Sequence, residues 1–363
     1  MLEDLLKKLI AFKTISVEHE ENRHALEWLE SEVKDLPVFI NRYESNGFPS
    51  LTINTRETNS PTLWLTAHLD VVAGSDSVFT PKIEDGKLLG RGACDMKFAI
   101  ACFLNLLKDL GRNLSGHNFG VMITTDEEVG GQNGVKYLLN RGLSSRACFL
   151  PDGGYNWEIQ KAAKGVWHLK FVSLGKSTHG SRPWNGVNAV QNLVALLEKL
   201  SSQFPKEPCN VPHHFHNTLN VGKIEGGHAV NQVPDLAQAW VDIRFTTQTK
   251  KEDLQGLINK SLKYFPGISM TEVSFGESYS LDTQNRYFKT FVEIVSGKLN
   301  INPKFIFSHG SSDARFFTAR GIPVILTRPT GGGSHSENEW IDLADLEKFY
   351  QVLKLFVEKV AKE

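Results

Sequence analysis

No stretch of this sequence holds the roughly 18 uncharged apolar residues that a bilayer-spanning helix needs, so no membrane partner is expected. Cysteine is scarce: Cys94, Cys102, Cys148 and Cys209 are too few and too scattered for a disulfide framework in 363 residues. Neither sign of charge dominates, with 40 Lys and Arg against 41 Asp and Glu. A sequence-wide basic field for a polyanion is therefore missing, and nucleic acid is not an expected partner. The opening MLEDLLKKLIAFKTIS mixes acids and lysines with its leucines, which describes an amphipathic helix rather than a secretory signal. These absences together predict a soluble, cytoplasmic protein. There is no internal repeat and no low-complexity tract, no paired CxxC or HxxxH of a zinc finger, and no GxSxG of a serine hydrolase.

What is present is ample core: 40% of residues are hydrophobic, and the length favours two domains over one. From residue 1 to 162, continuous apolar runs alternate with helix-like patterns. TLWLTA (62–67), FGVMITT (119–125) and RACFLPD (146–152) read as strands buried on both faces of a largely parallel sheet. Met96, Ile100, Phe103, Leu104 and Leu107 recur at helical spacing between them. Strand, helix, strand predicts an α/β domain. Over 163–278 the pattern changes. GVWHLKFVS and LAQAWVDIRF alternate apolar and polar residues, as strands buried on one face do, with the helical GVNAVQNLVALLEKLSSQF between them. That segment reads as an inserted, smaller α+β domain, and 279–363 returns to the first style. VPHHFH (211–216) reads as an irregular exposed loop, with adventitious metal binding as the alternative.

The apolar runs end in acids and histidines, and ligands bind at the carboxyl ends of strands in α/β sheets. After TLWLT, His68 and Asp70 fall two apart, so Asp70 could hold one imidazole nitrogen while the other binds metal. A surface HxD at a strand end is the plainer alternative. Asp95 in GRGACDMK precedes a helix, where a carboxylate also serves as an N-terminal cap. In TTDEEVGG, the neighbours Glu127 and Glu128 must point in different directions, so one could bind metal while the other faces water and substrate; a solvated acidic turn is the alternative. Crowded acids beside an apolar sheet need cations, and divalent metals are the obvious ones. Asp152 ends a fourth run, and His335 follows three glycines whose backbone could approach a ligand closely. Two histidines with several carboxylates on five loops make a mixed N/O set suited to Zn²⁺, with Co²⁺ or Mn²⁺ as alternatives.

These motifs in order (AFKTIS, AHLDVV, GRGACDMK, TTDEEVGG, PDGG, STHGSRPWNGVNAV, NVGKIEGGHAVNQVPDLAQAWVDIR, SSDARFF, GGGSHSENEW) resemble the M20 family of dinuclear zinc peptidases and deacylases. The resemblance implies a zinc-peptidase catalytic domain with an inserted lid and dimerisation domain. It implies two Zn²⁺ per subunit, with Asp95 bridging: one held also by His68 and Asp152, the other by Glu128 and His335. Glu127 would be the general base acting on a metal-bridging water, and Asp70 would orient His68. His179 would act across a homodimer, while Asn231, Arg244, Arg315, Gly332 and Gly333 would contact substrate. For Arg244 an ion pair with Asp242 is the plainer reading. The implied reaction is hydrolysis of the amide bond of a small N-acyl amino acid, of deacetylase or desuccinylase type. Asp152, where such deacylases commonly carry Glu, looks more like the dipeptidase and aminopeptidase branches acting on short unblocked peptides. A non-catalytic binding protein on the same scaffold would lack a ligand or the base, and neither is missing.

Overall fold

The computed structural model describes residues 2–207 and 215–362. Most of the His-rich loop, 211–214, and Cys209 lie outside the described residues. The chain forms two compact units: residues 1–161, 281–306 and 312–363 make the first, and residues 162–280 with 307–311 the second. The short return at 307–311 falls in the second unit, within the 279–363 stretch that the sequence reading expected to complete the catalytic domain. Its tertiary contacts leave no trace in the local pattern.

The main sheet of the first unit has six strands in the order Phe39–Ser45, Phe48–Asn54, Phe119–Thr124, Leu63–His68, Ala147–Phe149, Val324–Ile325. The last four run parallel and the first two add antiparallel pairing, so the sheet is mixed and largely parallel. Every residue of Leu63–His68 and Phe119–Thr124 is buried, which is why these strands read as unbroken apolar runs. Parallel pairing sets His68 against Thr124, so the segments that follow both strands leave from one edge. The helix Lys97–Leu110 is buried almost throughout, and Leu343–Val360 closes the unit. The ring of Phe149 lies 5.4 to 5.9 Å from those of Phe291, Phe349 and Phe356, packing two C-terminal helices against the sheet. A second, four-stranded sheet pairs Gly331–Gly332 with Trp340–Asp342, and the latter with Lys87–Leu89. It carries the glycine-rich segment and its histidine alongside the segment that leads to Asp95.

In the second unit, four antiparallel strands run in the order Thr218–Gly226, Leu236–Phe245, Gly165–Leu174, Ile268–Gly276. Trp167, Leu169, Phe171, Val241, Ile243 and Phe245 face one core with Leu193, Leu196 and Leu200 of the Ala189–Ser201 helix and Leu254 and Ile258 of Lys251–Leu262. Their alternating partners Lys170, Trp240, Asp242 and Arg244 are half-buried, as the period of two requires. No helix among the described residues is long and apolar enough to cross a membrane.

Candidate metal centre

Five segments that end strands or turns of the first unit bring their acids and histidines together. His68, the last residue of its strand, is 2% exposed on its side chain. Its Nε2 lies 3.5 Å from Oδ1 of Asp95, while Nε2 of His335 lies 3.4 Å from Oδ2 of the same carboxylate and 3.2 Å from Glu128. Asp95 thus presents one oxygen to each imidazole. It does not cap the helix behind it, which starts at Lys97 without a side-chain cap.

Ligand-type atoms gather in two groups, each within 4.8 Å: His68 with Glu127 and Asp152, and Asp95 with Glu128 and His335. The neighbouring glutamates, on the short 3₁₀ turn Glu127–Val129, therefore serve different groups. Nε2 of His68 and Oε1 of Glu128 are buried without a hydrogen-bond partner among the described residues. Buried polar atoms normally have partners, and a divalent cation satisfies such atoms in a set of imidazole and carboxylate donors. The residues fit a metal.

The electrostatics agree. Burial pushes Glu127 well above its ordinary carboxyl range, reinforced by Asp152. Burial likewise raises Asp152 to about 6, with Asp95 adding to it. For His68 burial acts to lower the pKa, but Asp95, Glu127, Asp70 and Asp152 hold it well above the usual value. Asp95 and Glu128 raise His335 to about 10. Acids that resist ionisation beside imidazoles that hold protons mark a cluster short of positive charge.

Asp70 meets His68 through its backbone rather than its carboxylate. Nδ1 of His68 hydrogen-bonds the backbone carbonyl of Asp70 at 2.9 Å, and the carboxylate stands back at 3.6 Å. That carboxylate instead accepts from the Ser16 hydroxyl at 2.8 Å and from the backbone N–H groups of Glu127 and Glu128 at 3.2 and 3.1 Å. It fixes the turn that aims both glutamates. Arg315, expected to contact substrate, is buried and donates to the Gly130 carbonyl at 2.8 Å, tethering the far end of that turn. Gly332 lies in the short strand paired with Trp340, and Gly333 adopts φ +73°, where a Cβ would meet the Asn338 carbonyl at 2.6 Å. These two glycines shape the hairpin that presents His335.

The remaining expected residues lie in the second unit. His179 is exposed, with Nδ1 2.7 Å from the Ser181 hydroxyl, and the carbonyl of Asn231 accepts from the Gly180 N–H at 2.6 Å. Arg244 is paired with Asp242 at 2.8 Å, the plainer of its two readings.

Two residues of the site escaped sequence reasoning. Glu339, 1% exposed, accepts from the N–H groups of Gly92, Cys94 and Asp95 at 3.0, 2.9 and 2.9 Å and from Arg91 at 3.0 Å, so it holds the loop that delivers Asp95. Nothing in SHSENEW separates it from the exposed Glu337. Arg328 donates to Asp152 at 3.1 Å. It too follows a strand, but a search for metal ligands passes over arginine.

Fold and site together define a metal-dependent hydrolase, with an α/β core and strand-end acids. The chain belongs to peptidase family M20/M25/M40, which it matches over residues 64–359. It is similar to the succinyl-diaminopimelate desuccinylase of Rickettsia akari (strain Hartford), at 28% identity with 98% of each chain covered, and to that of Rickettsia felis at 27% with the same coverage. In fold it resembles a tripeptidase from Staphylococcus aureus (TM-score 0.82, 19% identity, 100% and 98% of the two chains). It also resembles an M20 family metallo-carboxypeptidase from Sulfolobus solfataricus (TM-score 0.81, 19%, 99% and 98%).

Proposed function

We propose that this enzyme cleaves the amide bond of a small N-acyl amino acid, in the manner of a desuccinylase or deacetylase. The observation that carries the reading is the shared carboxylate of Asp95 between two ligand groups, with Glu127 beside them. Similarity along the whole chain to proteins named succinyl-diaminopimelate desuccinylase supports the acyl class. His68, Asp95 and Asp152 would hold one metal, and Asp95, Glu128 and His335 a second, with Zn²⁺ favoured by the donor set and Co²⁺ or Mn²⁺ as alternatives. When bound, such a pair acts as a Lewis acid and makes hydroxide available near neutral pH.

Glu127 takes a proton from the attacking water and hands it to the leaving nitrogen. Burial raises its pKa, the direction in which a carboxylate becomes a better proton acceptor. Asp70 positions Glu127 and Glu128 through their backbone, and Glu339 positions Asp95. His179 stabilises the developing oxyanion from a second copy of the chain, and Asn231 and Arg244 contact the substrate. Arg315, Gly332 and Gly333 act on the substrate only through the backbone they shape. The homodimer is supported by the Thr218–Gly226 strand, which lies at the end of its sheet with mostly exposed residues and leaves a nine-residue edge to pair. Cys94, Cys102 and Cys148 are buried and unbridged, which supports the cytoplasm as the compartment.

One panel on zinc-loaded protein tests the substrate: N-succinyl-diaminopimelate, N-acetylornithine, other N-acyl amino acids and unblocked dipeptides. Turnover of an N-acyl amino acid is expected. Turnover of dipeptides alone would move the enzyme to the dipeptidase branch, the reading that Asp152 favours. No hydrolysis of any amide would leave a binding protein.

A further inference from the structure

The six converging residues are not held alike. The side chains of His68, Asp95 and Glu128 are 2%, 11% and 8% exposed, whereas that of His335 is 53% exposed. Packing does little to aim the His335 imidazole at Asp95 and Glu128, so its aim depends on its backbone. That backbone is unusual: among the described residues, His335 alone of the six has a positive φ, at +65°. A residue with a Cβ is disfavoured in this left-handed region, and persists there only where surrounding contacts over-determine it.

One buried side chain supplies such contacts. The guanidinium of Arg91 donates from Nη1 to the Ser336 carbonyl at 3.0 Å and from Nη2 to the His335 carbonyl at 3.4 Å. It grips the two carbonyls next to the strained φ. The same fork is anchored away from the hairpin, with Nη1 on Glu339 at 3.0 Å and Nη2 on the Ala73 carbonyl at 3.4 Å. A planar guanidinium serves several acceptors at fixed angles, which a lysine ammonium does not. The same two segments meet once more outside the fork, where the Ser75 N–H and hydroxyl donate to the Glu337 carboxylate. That contact is exposed, so water competes for it and it constrains the hairpin less.

We propose that Arg91 is a positioning residue: it clamps the hairpin so that His335 keeps its left-handed backbone and its imidazole faces Asp95 and Glu128 without help from a metal. The inference rests on the reading that His335 is a metal ligand, but the clamp itself is measurable without metal.

Two measurements on Arg91→Lys, which keeps a charge beside Glu339, test it. The first is amide hydrogen exchange in chelator-stripped protein. The N–H groups of Ser336 and Asn338, bonded to the Gly333 carbonyl and the Ser336 hydroxyl, should exchange about tenfold faster, the scale of one lost charged hydrogen bond, while the Leu63–His68 strand is unchanged. The second is titration with Zn²⁺ against a chromophoric competitor. Affinity should fall by about 10 to 100-fold, the range for groups behind metal ligands. In a His335→Ala background the same substitution should cost nothing further, because its effect passes through His335. Glu337→Ala, which removes only the exposed contact, should change both readings far less. Unchanged exchange, unchanged affinity, or an equal loss of affinity with His335 already removed would each overturn the proposal, the last by placing Arg91 behind Asp95 through Glu339. Should Arg91→Lys not fold, Arg91→Met with Glu339→Gln, which removes both buried charges together, replaces it in the exchange measurement. Wild type that binds no zinc would sink the metal reading, and the exchange comparison would then decide the clamp alone.

Discussion

The two units handle their polar groups in opposite ways. In the first, carboxylates and imidazoles pack within a few ångströms of one another, buried or half-buried except for the exposed His335, and are held by further buried groups such as Asp70, Glu339 and Arg328. In the second, His179 and Asn231 sit on exposed loops, and Arg244 lies on the open face of a sheet whose other face is a complete core. Burial makes charges interact strongly and shifts their pKa values, so the first unit can hold metal and prime a base. Exposure leaves the second unit's side chains to be used only when something else covers them.

The sharpest way to separate the roles is Glu127→Ala. It should lower kcat by about 10² to 10⁴, the range for a lost general base, while zinc content by elemental analysis stays at two per chain. Full turnover would remove Glu127 as the base, and loss of one zinc would instead make it a ligand, which its place beside His68 and Asp152 allows geometrically. Next in size, Phe149→Ala should cost about 3 to 5 kcal/mol of stability, because its fully buried ring joins the sheet to the C-terminal helices. Denaturant unfolding measures it, and a cost under 1 kcal/mol would contradict that packing.

His179→Ala probes the other unit. It should lower kcat by about 10² to 10³, the effect of one oxyanion donor, with metal content unchanged. Mixed with Glu127→Ala subunits it should recover activity; verified mixed dimers without recovery would place its action within one chain or nowhere.

The smallest expected effect concerns Asp313, buried against Gly131 in the first unit. Burial raises its pKa to about 7, although Arg315 opposes the shift. A carboxyl raised in the fold loses stability as pH climbs from its unfolded value near 4 towards that raised value. Asp313→Asn should therefore raise the melting temperature of chelator-treated protein at pH 8 by about 2 to 4 °C, with no gain at pH 4. An equal gain at both pH values would show that the charge is not the cause.

Much of the first unit was legible because burial on both faces leaves unbroken apolar runs, and the residues that end those runs are the ones that converge. His68, Glu127, Glu128 and Asp152 were marked this way, Asp95 by its place before a helix and His335 by the glycines before it, and the separation of the two glutamates into different groups matches their opposed backbone directions. The tasks of Asp70 and Arg315 were not legible. The Asp70 carboxylate and the Arg315 guanidinium hold backbone, while Asp70 meets the imidazole of His68 through its carbonyl, a choice between nearby partners that side-chain type does not reveal.

Composition and periodicity thus determined the kinds of element, the α/β core with its inserted α+β unit, and the chemical types at the strand ends, because each is a property of residues near one another in the chain. Which oxygen of Asp95 faces which histidine, and that Glu339 and Arg328 stand behind the ligands, was decided only by tertiary structure. Those contacts join segments up to 248 residues apart, and a local pattern carries no information about partners brought together by folding.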